Sequence, residues 1–299
     1  MLTNTNTNIE IQPFSENVGR KIINTENTSI LEIDKEEIIN LFKSYGFLLF
    51  RGFETNVNTF AEFSNSLSNG FMDYTGGAIN RRIINEDGTI LTVNDFKDEM
   101  KLHGEMYYIK KPPQIVWFFC ANPPLKDGET TICDGEQFFQ ELSDSTKDLL
   151  RRKKLKFPGH LRKEDWQKKY KTNDLNVVKE ICESQGREVQ INEDESIDFK
   201  FICSAIHKSI TEQKDVFINS LLQAKKVNPK SVCFDDDSEI TDEIMSELNE
   251  IGEKITIEIS WQKGDILMID NTRIMHGRRA FYDDQRDIYV RLCFPAFPF

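Results

Sequence analysis

Residues 254–278 read KITIEISWQKGDILMIDNTRIMHGR, and this stretch decides the fold. The alternating isoleucines of ITIEI predict a strand that has one buried face. The turn at Gly264-Asp265 leads into the apolar run ILMI, which predicts a second strand. A polar segment that contains His276 follows this strand. Polar residues directly after an apolar strand are typical of the end of a barrel strand that borders a functional site. The stretch therefore favours a β-sandwich or jelly roll over alternating strand–helix units.

Similar elements occur on either side of this stretch. Lys35–Tyr45 has the apolar spacing of an amphipathic helix, and Gly46 is expected to end it. Residues 47–50 (FLLF) and 114–120 (QIVWFFC) predict buried strands, and a second amphipathic helix lies between them. The run DIYVRLCF predicts the last strand of the chain.

The middle of the chain is more highly charged, and its pattern predicts helices. Residues 136–175 and 211–226 are expected to be helical, and residues 136–250 as a whole are expected to form a helical insert that acts as a lid. No repeat or linker divides the chain, so one catalytic domain over residues 1–299 is predicted. The fold class is α+β or mainly β, with a double-stranded β-helix (jelly-roll) core, flanking helices and this insert.

Bulk composition excludes several classes of protein. The net charge is −12, and no basic stripe suggests a nucleic-acid partner. No apolar run approaches the ~18 residues that a membrane helix requires, and the N-terminus lacks the layout of a secretory signal. The six cysteines are scattered without a C-x-x-C pair. A disulfide framework or a zinc site is therefore not expected. Scattered cysteines of this kind are typical of a cytoplasmic protein, and we expect that location.

His103-Gly104-Glu105 is the first candidate for a metal site. On a strand, residues two apart point to the same side, so His103 and Glu105 could bind one ion. Gly104 allows an unusual backbone angle or a close approach. A histidine nitrogen with a carboxylate oxygen suits iron(II). By itself, however, H-x-E also fits a histidine at a strand end beside a solvated glutamate.

The second candidate is His276, in the segment DNTRIMHGR. Two histidines and one carboxylate on one face of a metal ion leave three coordination positions open. That arrangement is the facial triad of non-haem iron oxygenases. The two motifs together predict that His103, Glu105 and His276 are both the metal ligands and the catalytic centre.

These motifs resemble those of the taurine dioxygenase and clavaminate synthase-like family of iron(II)/2-oxoglutarate oxygenases. Residues 45–53 (YGFLLFRGF) look like the opening strand of that family, and residues 103–135 look like its proximal metal motif and the segment that follows. Residues 261–281 (WQKGDILMIDNTRIMHGRRAF) look like its distal motif. The resemblance touches nearly the full length of the chain.

The resemblance implies a dioxygenase that uses Fe(II), 2-oxoglutarate and O2, and releases succinate and CO2. Thr130 matches the threonine that contacts the far carboxylate of 2-oxoglutarate. Either Arg286 or Arg291 matches the arginine that pairs with this carboxylate. One departure is Asp127-Gly128, where the family commonly has two glycines. Because Glu105 is present, halogenase chemistry, which needs that position open, is not expected.

The choice between the two arginines depends on burial. Arg286 follows a polar loop where water could solvate it, whereas Arg291 lies inside an apolar run. A buried guanidinium needs an anion, so the sequence favours Arg291 as the cosubstrate ligand. Residues of odd and even number on a strand face opposite ways, so both can point into the barrel only if a bulge intervenes.

The substrate is expected to be a small amino acid or carboxylic acid, free or tethered to a carrier. Hydroxylation is the expected chemistry, and desaturation or cyclisation in the same family remains open. A jelly roll that binds metal and ligand without turnover is the alternative from another class. Candidates for the substrate pocket, each of which also fits a surface or packing role, are Tyr107, Tyr108, His160, His207, Lys208, Arg278 and Arg279.

Overall fold

The computed structural model describes residues 8–72, 81–94, 96–211 and 213–298. The strands are β1 (Ile9–Pro13), β2 (Arg20–Asn24), β3 (Phe47–Arg51), β4 (Ser68–Asn69), β5 (Ile90–Thr92), β6 (Met100–His103), β7 (Ile115–Asn122), β8 (Thr130–Asp134), β9 (Leu155–Leu161), β10 (Glu188–Ile191), β11 (Ile197–Cys203), β12 (Ile206–Lys208), β13 (Asp215–Phe217), β14 (Cys233–Phe234), β15 (Ile257–Ile259), β16 (Ile266–Asp270), β17 (Ile274–Arg278) and β18 (Asp287–Pro295). The helices are α1 (Lys35–Tyr45), α2 (Val57–Leu67), α3 (Gly135–Glu141), α4 (Asp144–Arg152), α5 (Lys163–Tyr170), α6 (Leu175–Ser184), α7 (Leu221–Val227) and α8 (Asp242–Ile255).

Two sheets form the body of the fold. The main sheet has the order β1-β2-β3-β16-β7-β18-β4, and β5 also pairs with β18. The minor sheet has the order β15-β8-β17-β6. Apart from β1, β2 and β3, strands that are neighbours in each sheet are distant in sequence, as in a jelly roll. The predicted fold class, a jelly-roll core with flanking helices, is confirmed.

Each face of the main sheet belongs to a different apolar cluster. Even-numbered residues of β18, such as Val290 and Leu292, pack between the two sheets together with Phe118. Odd-numbered residues of β18, such as Tyr289 and Cys293, belong to the cluster on the opposite face. The main sheet is thus buried on both faces, which explains why its strands appear in the sequence as continuous apolar runs.

Helices α1 and α2 cover the outer face of the main sheet. The Asp34 side chain caps α1 by accepting hydrogen bonds from the backbone N–H groups of Glu36 and Glu37. Gly46 ends the helix in a left-handed conformation with φ 77°, where other residues are strained. Both helices, and strand β3 between them, occur where the sequence predicts them.

The insert over residues 136–250 contains strands as well as helices, so the prediction of a helical insert is right only in part. Strand β9 interrupts the stretch 136–175 that the sequence predicts to be helical. It contains a sheet of order β10-β11-β9-β14 and the hairpin β12-β13 in addition to helices. Residues 211–226 are not one helix, because β13 pairs with β12 and only α7 is helical. The run VFI in this segment has the β-branched and aromatic character that favours a strand.

A smaller correction concerns the stretch at residues 254–260. Helix α8 continues to Ile255, so the strand β15 contains only Ile257 and Ile259 of the three alternating isoleucines.

The insert packs on the outer face of the minor sheet, where Phe138 and Phe217 stack with ring centroids 4.5 Å apart.

All six cysteines are free thiols, and four of them are buried. Among the described residues, no helix combines the length and the apolar character needed to cross a membrane.

Candidate active site

Strand pairing in the minor sheet brings the two histidines of the predicted site together. His103 is the last residue of β6, and His276 is in the middle of β17. The two residues are direct partners in the antiparallel pairing of these strands. Their rings lie with centroids 4.5 Å apart, although 173 positions separate them in the sequence.

Glu105 reaches the same point from a turn. Strand β6 ends at His103, so the expected i, i+2 strand geometry does not place Glu105. Instead Asn271 holds the turn, because its Oδ1 accepts from the Glu105 N–H at 2.8 Å and its Nδ2 donates to the Glu105 carbonyl at 3.0 Å. Gly104 is required for close approach, since a Cβ there would lie 2.5 Å from the Tyr107 ring.

The three side chains form a compact, buried donor set. One potential ligand atom of each residue lies within 4.8 Å of the other two. The Glu105 Oε2 atom is 3.5 Å from His276 Nε2 and 3.9 Å from His103 Nε2. Two imidazole nitrogens and one carboxylate oxygen are ligands that suit iron(II). The residues present therefore fit the metal that the sequence predicts.

The protonation of these groups also suits a metal ligand. The Nδ1 of His103 lies 2.9 Å from the Lys101 carbonyl, so this nitrogen carries the proton and Nε2 is left for an ion. Burial, with help from nearby His276, lowers the pKa of His103 to about 4. Burial opposes ionisation of Glu105, but hydrogen bonding with His276 and the charge of Arg81 outweigh it and hold its pKa below the ordinary value.

A cavity of about 670 Å³ opens beside this donor set. This volume is within the range of pockets that bind small molecules. His103, Glu105 and His276 line its inner end. The rest of the wall includes Arg81, Val93, Phe96, Met106, Tyr108, Phe118, Thr130, Phe157, Arg278 and Arg286, together with residues of α7.

Thr130 lies in this cavity, as the resemblance implies. Its Oγ1 accepts a hydrogen bond from Trp261 Nε1 at 3.1 Å. A hydroxyl that accepts from an indole keeps its own proton for another acceptor. Thr130 can therefore donate to an anion in the cavity.

Arg286 is the arginine that shares the cavity with Thr130. Its Nε donates to the Gly128 carbonyl at 3.2 Å, and its Nη1 donates to Asn94 Oδ1 at 3.0 Å. Its Nη2 donates to none of the described residues, and none of their carboxylates forms an ion pair with it. Burial and the neighbouring charge of Arg278 lower the pKa of Arg286 to about 9. A carboxylate in the cavity would offset both effects.

Arg291 is on the other side of the main sheet. It is 2% exposed, and its guanidinium donates to Ser64 Oγ and Asn65 Oδ1, both at 2.8 Å, and to Thr89 Oγ1 at 2.9 Å. It also lies 3.5 Å from the centre of the Phe71 ring. Its Nη2 also pairs with the Asp87 carboxylate at 3.4 Å. The preference for Arg291 is therefore corrected: its charge is buried as expected, but Asp87, polar side chains and an aromatic ring already surround it.

The departure at Asp127-Gly128 has a physical explanation. Both residues have positive φ, 58° and 76° respectively. Aspartate tolerates the left-handed region better than most residues, so it can replace the first glycine. Gly128 has a second constraint, since a Cβ there would lie 2.9 Å from Phe281 and 3.3 Å from the Arg286 side chain.

Only two of the seven candidates for the substrate pocket, Tyr108 and Arg278, line the cavity. Arg278 donates hydrogen bonds to the carbonyl groups of Val93, Phe96 and Asp98, and so holds one wall in place.

The other five candidates lie elsewhere. His160 is 54% exposed and pairs with Asp198. Arg279 forms ion pairs with Glu99, Glu253 and Glu258. Tyr107, His207 and Lys208 line a separate groove.

The sequence pattern did not reveal three residues that shape the site. Asn271 fixes the turn of Glu105, Trp261 orients the Thr130 hydroxyl, and Arg81 lines the cavity close enough to influence the pKa of Glu105. Asn271 and Trp261 both lie in the distal motif, so their position in it was the available signal. No signal in the sequence distinguishes Arg81.

Comparisons with known proteins agree with this geometry. Residues 10–293 match the model of the family described as taurine catabolism dioxygenase TauD, TfdA family. A clavaminate synthase-like protein of Arabidopsis thaliana is 26% identical, over 89% of this chain and 87% of its own length. The dapdiamide synthesis protein DdaC of Enterobacter agglomerans is 22% identical, over 96% of this chain and 95% of its own.

A solved structure shows the same fold. PvcB of Pseudomonas aeruginosa has a TM-score of 0.65 at 14% identity, over 97% of this chain and 92% of that one. PvcB is described as an Fe, alpha-ketoglutarate dependent oxygenase from an isonitrile synthetic pathway. Since the family match covers almost the whole chain, this protein belongs to the TauD, TfdA family and is an iron(II)- and 2-oxoglutarate-dependent dioxygenase.

Proposed function

We propose that this enzyme hydroxylates an unactivated C–H bond of an amino-acid or carboxylic-acid substrate, free or carrier-tethered. The observation that carries the proposal is one cavity that contains both the three-residue donor set and the pair Thr130 and Arg286. The six free cysteines are consistent with a cytoplasmic enzyme.

His103, Glu105 and His276 would hold the iron. Three protein ligands leave positions for the keto-acid end of 2-oxoglutarate and for O2. When bound, iron(II) with these two co-reactants supplies oxidation of the C–H bond, with release of succinate and CO2. The role of the protein is to orient the reacting groups and to keep water away.

Thr130 and Arg286 would bind the far carboxylate of 2-oxoglutarate. A guanidinium with an unoccupied amino group and a hydroxyl with a free proton are suitable donors for a carboxylate. Both are buried at 4% exposure or less, so the pairing takes place away from bulk water, where it is stronger.

Arg81 would bind the acidic group of the substrate. It lines the cavity together with His103 and Glu105, and its charge influences the pKa of both. A substrate carboxylate on Arg81 would place the adjacent carbons near the metal ligands. The apolar side chains of Val93, Met106 and Phe118 would exclude water from that point.

Succinate formation in the absence of a primary substrate tests the proposal. The purified chain is given iron(II), O2 and 2-oxoglutarate, and succinate is measured against a sample without iron. We expect slow, iron-dependent succinate formation, which a primary substrate would accelerate. A protein that binds iron and 2-oxoglutarate but forms no succinate would instead be the non-catalytic jelly roll considered above.

A further inference from the structure

One wall of the cavity is a single face of helix α7, in the insert. Lys226 also lines the cavity, but the main residues of this wall are Ser220, Gln223, Ala224 and Val227. Their spacing of three, four and seven positions places them along one side of a helix. Most of the remaining wall belongs to the jelly roll, so α7 is a separate element that faces whatever the cavity binds.

The inner end of this face is attached to the metal-binding turn. The Gly104 N–H donates to the Asn219 carbonyl at 2.9 Å, and Ser220 Oγ donates to the Gly104 carbonyl at 3.2 Å. Gly104 lies between His103 and Glu105, so the face begins beside the metal ligands. At the other end, Val227 is 74% exposed. With a rise of ~1.5 Å per residue, the distance from Ser220 to Val227 along the helix is roughly 10 Å.

Gln223 presents a hydrogen-bond donor along this face. Its Oε1 accepts from the Lys101 N–H at 2.7 Å. A backbone N–H can only donate, so this bond determines which end of the carboxamide is oxygen. The Nε2 donates to none of the described residues, and Gln223 lines the cavity. A substrate would therefore meet an oriented N–H donor about one helical turn from the metal ligands.

Beyond Gln223 the channel is mainly apolar. Ala224, Val227 and Phe157 line it, and so does Phe96, which is 60% exposed. The one cation of α7 on this wall, Lys226, is paired with Glu99 at 3.1 Å. This part of the channel therefore suits a neutral, apolar group better than a charged one.

We propose that the α7 face selects an elongated substrate, an N-acylated amino acid or a dipeptide-like amide. Its amide carbonyl accepts from Gln223 Nε2, and its apolar acyl part extends toward Val227. A free amino acid bound at Arg81 would be too short to fill the channel. This inference rests on the proposed function, because it assumes that the substrate is oxidised beside His103, Glu105 and His276.

Matched probes test the carbonyl and the length separately. For each common L-amino acid, the free acid, the N-octanoyl derivative and the matching 2-octyloxy acid, whose neutral ether linkage lacks the carbonyl, are added to the iron-loaded enzyme with 2-oxoglutarate and O2. Succinate formation is expressed relative to the rate without probe. We expect the strongest stimulation from one or more N-octanoyl derivatives, and about tenfold less from the matching ether, the scale of one hydrogen bond.

Two variants connect this result to α7. Gln223→Glu keeps the oxygen that accepts from Lys101 but replaces the donor with an acceptor, so the KM of the N-octanoyl probe should rise about tenfold. Gln190→Glu makes the same change on an exposed strand and should have no effect. Val227→Trp, at an exposed position, should weaken stimulation by the octanoyl probe more than by its N-acetyl counterpart.

The outcomes separate the two proposals. If the wild-type enzyme forms succinate but no acylated probe stimulates it, or free amino acids stimulate equally, the α7 inference is wrong and the proposed function stands. The inference is also wrong if Gln223→Glu and Val227→Trp both behave like wild type. If no succinate forms under any condition, both proposals fail together.

Discussion

Two arginines near the start and the middle of β18 are both buried, and their surroundings differ. Arg291 donates to Ser64, Asn65 and Thr89 and lies against an aromatic ring on the outer face of the main sheet. Arg286, on the cavity side, donates to one carbonyl and one amide oxygen and keeps an amino group without a described partner. Burial alone therefore does not identify a ligand-binding arginine. Donors left unoccupied at a cavity wall are the better criterion.

Among substitutions of the residues that line the cavity, those of the metal ligands should lower activity most. His276→Ala removes one of only three protein ligands, and the same holds for His103→Ala and Glu105→Ala. We expect each variant to lose bound iron and to form no detectable succinate, because two ligands hold iron(II) far more weakly. Metal analysis and succinate measurement check this.

The exposed His160 provides the matched control for that experiment. His160→Ala should retain wild-type iron content, because its partner Asp198 is on the surface of the insert. Normal iron content and turnover in His276→Ala would show that the donor set has been assigned wrongly.

The second largest effect is expected on the affinity for 2-oxoglutarate, and it should differ between substitutions of the two arginines. Arg286→Gln should raise the Kd for 2-oxoglutarate at least about thirtyfold, or about 2 kcal/mol, since a buried charged pair would be lost. Arg291→Gln should leave this Kd unchanged but lower the free energy of unfolding by about 1–3 kcal/mol, because several buried partners lose their donor. The absorption band of the iron–cosubstrate complex and chemical denaturation measure the two quantities. The opposite pattern would restore Arg291 as the cosubstrate ligand.

A smaller effect is expected at Thr130. Thr130→Val removes one neutral hydrogen bond to the cosubstrate, so the Kd for 2-oxoglutarate should rise about fivefold, or about 1 kcal/mol. Trp261→Phe leaves the hydroxyl in place and should have a weaker effect. Titration of the same absorption band distinguishes the two variants, and equal losses would mean that Trp261 matters as much as the hydroxyl.

The smallest effect concerns Asp270, at the end of β16. Burial raises its pKa to about 6, whereas an unfolded aspartate titrates near ~3.9. The folded state thus binds the proton more tightly, and the contribution of this group to stability falls as the pH rises from about 4 through 6. Asparagine does not titrate, so Asp270→Asn should gain about 1–2 kcal/mol of stability relative to wild type when the pH is raised from 5 to 7.5. Denaturation at both pH values checks this, and a difference independent of pH would contradict it.

Much of the fold and of the site could be predicted because the signals are local. Helix α1 with its stop at Gly46, the buried run of β3, and the residues His103, Glu105 and His276 all follow from short motifs. The structure brings these three side chains together in one cavity, as the motifs require.

What could not be predicted depends on contacts between distant segments. The side to which Arg291 points depends on which face of β18 turns toward the minor sheet, and the sequence does not reveal it because both faces of this strand are apolar. The turn at Glu105 depends on Asn271, far along the chain. Strand β13 forms because β12 is there to pair with it, although the charged residues around it favour a helix.

The hydrogen bonds around Gly104 have a consequence for synthesis of the chain. Gly104 bonds to Asn219 and Ser220, and Glu105 bonds to Asn271. When His103 and Glu105 leave the ribosome, the segments that shape their turn have yet to be made, and His276 is later still. A nascent chain therefore has no formed iron site until His276 has been made and the segments around Asn219 and Asn271 have folded against Gly104 and Glu105.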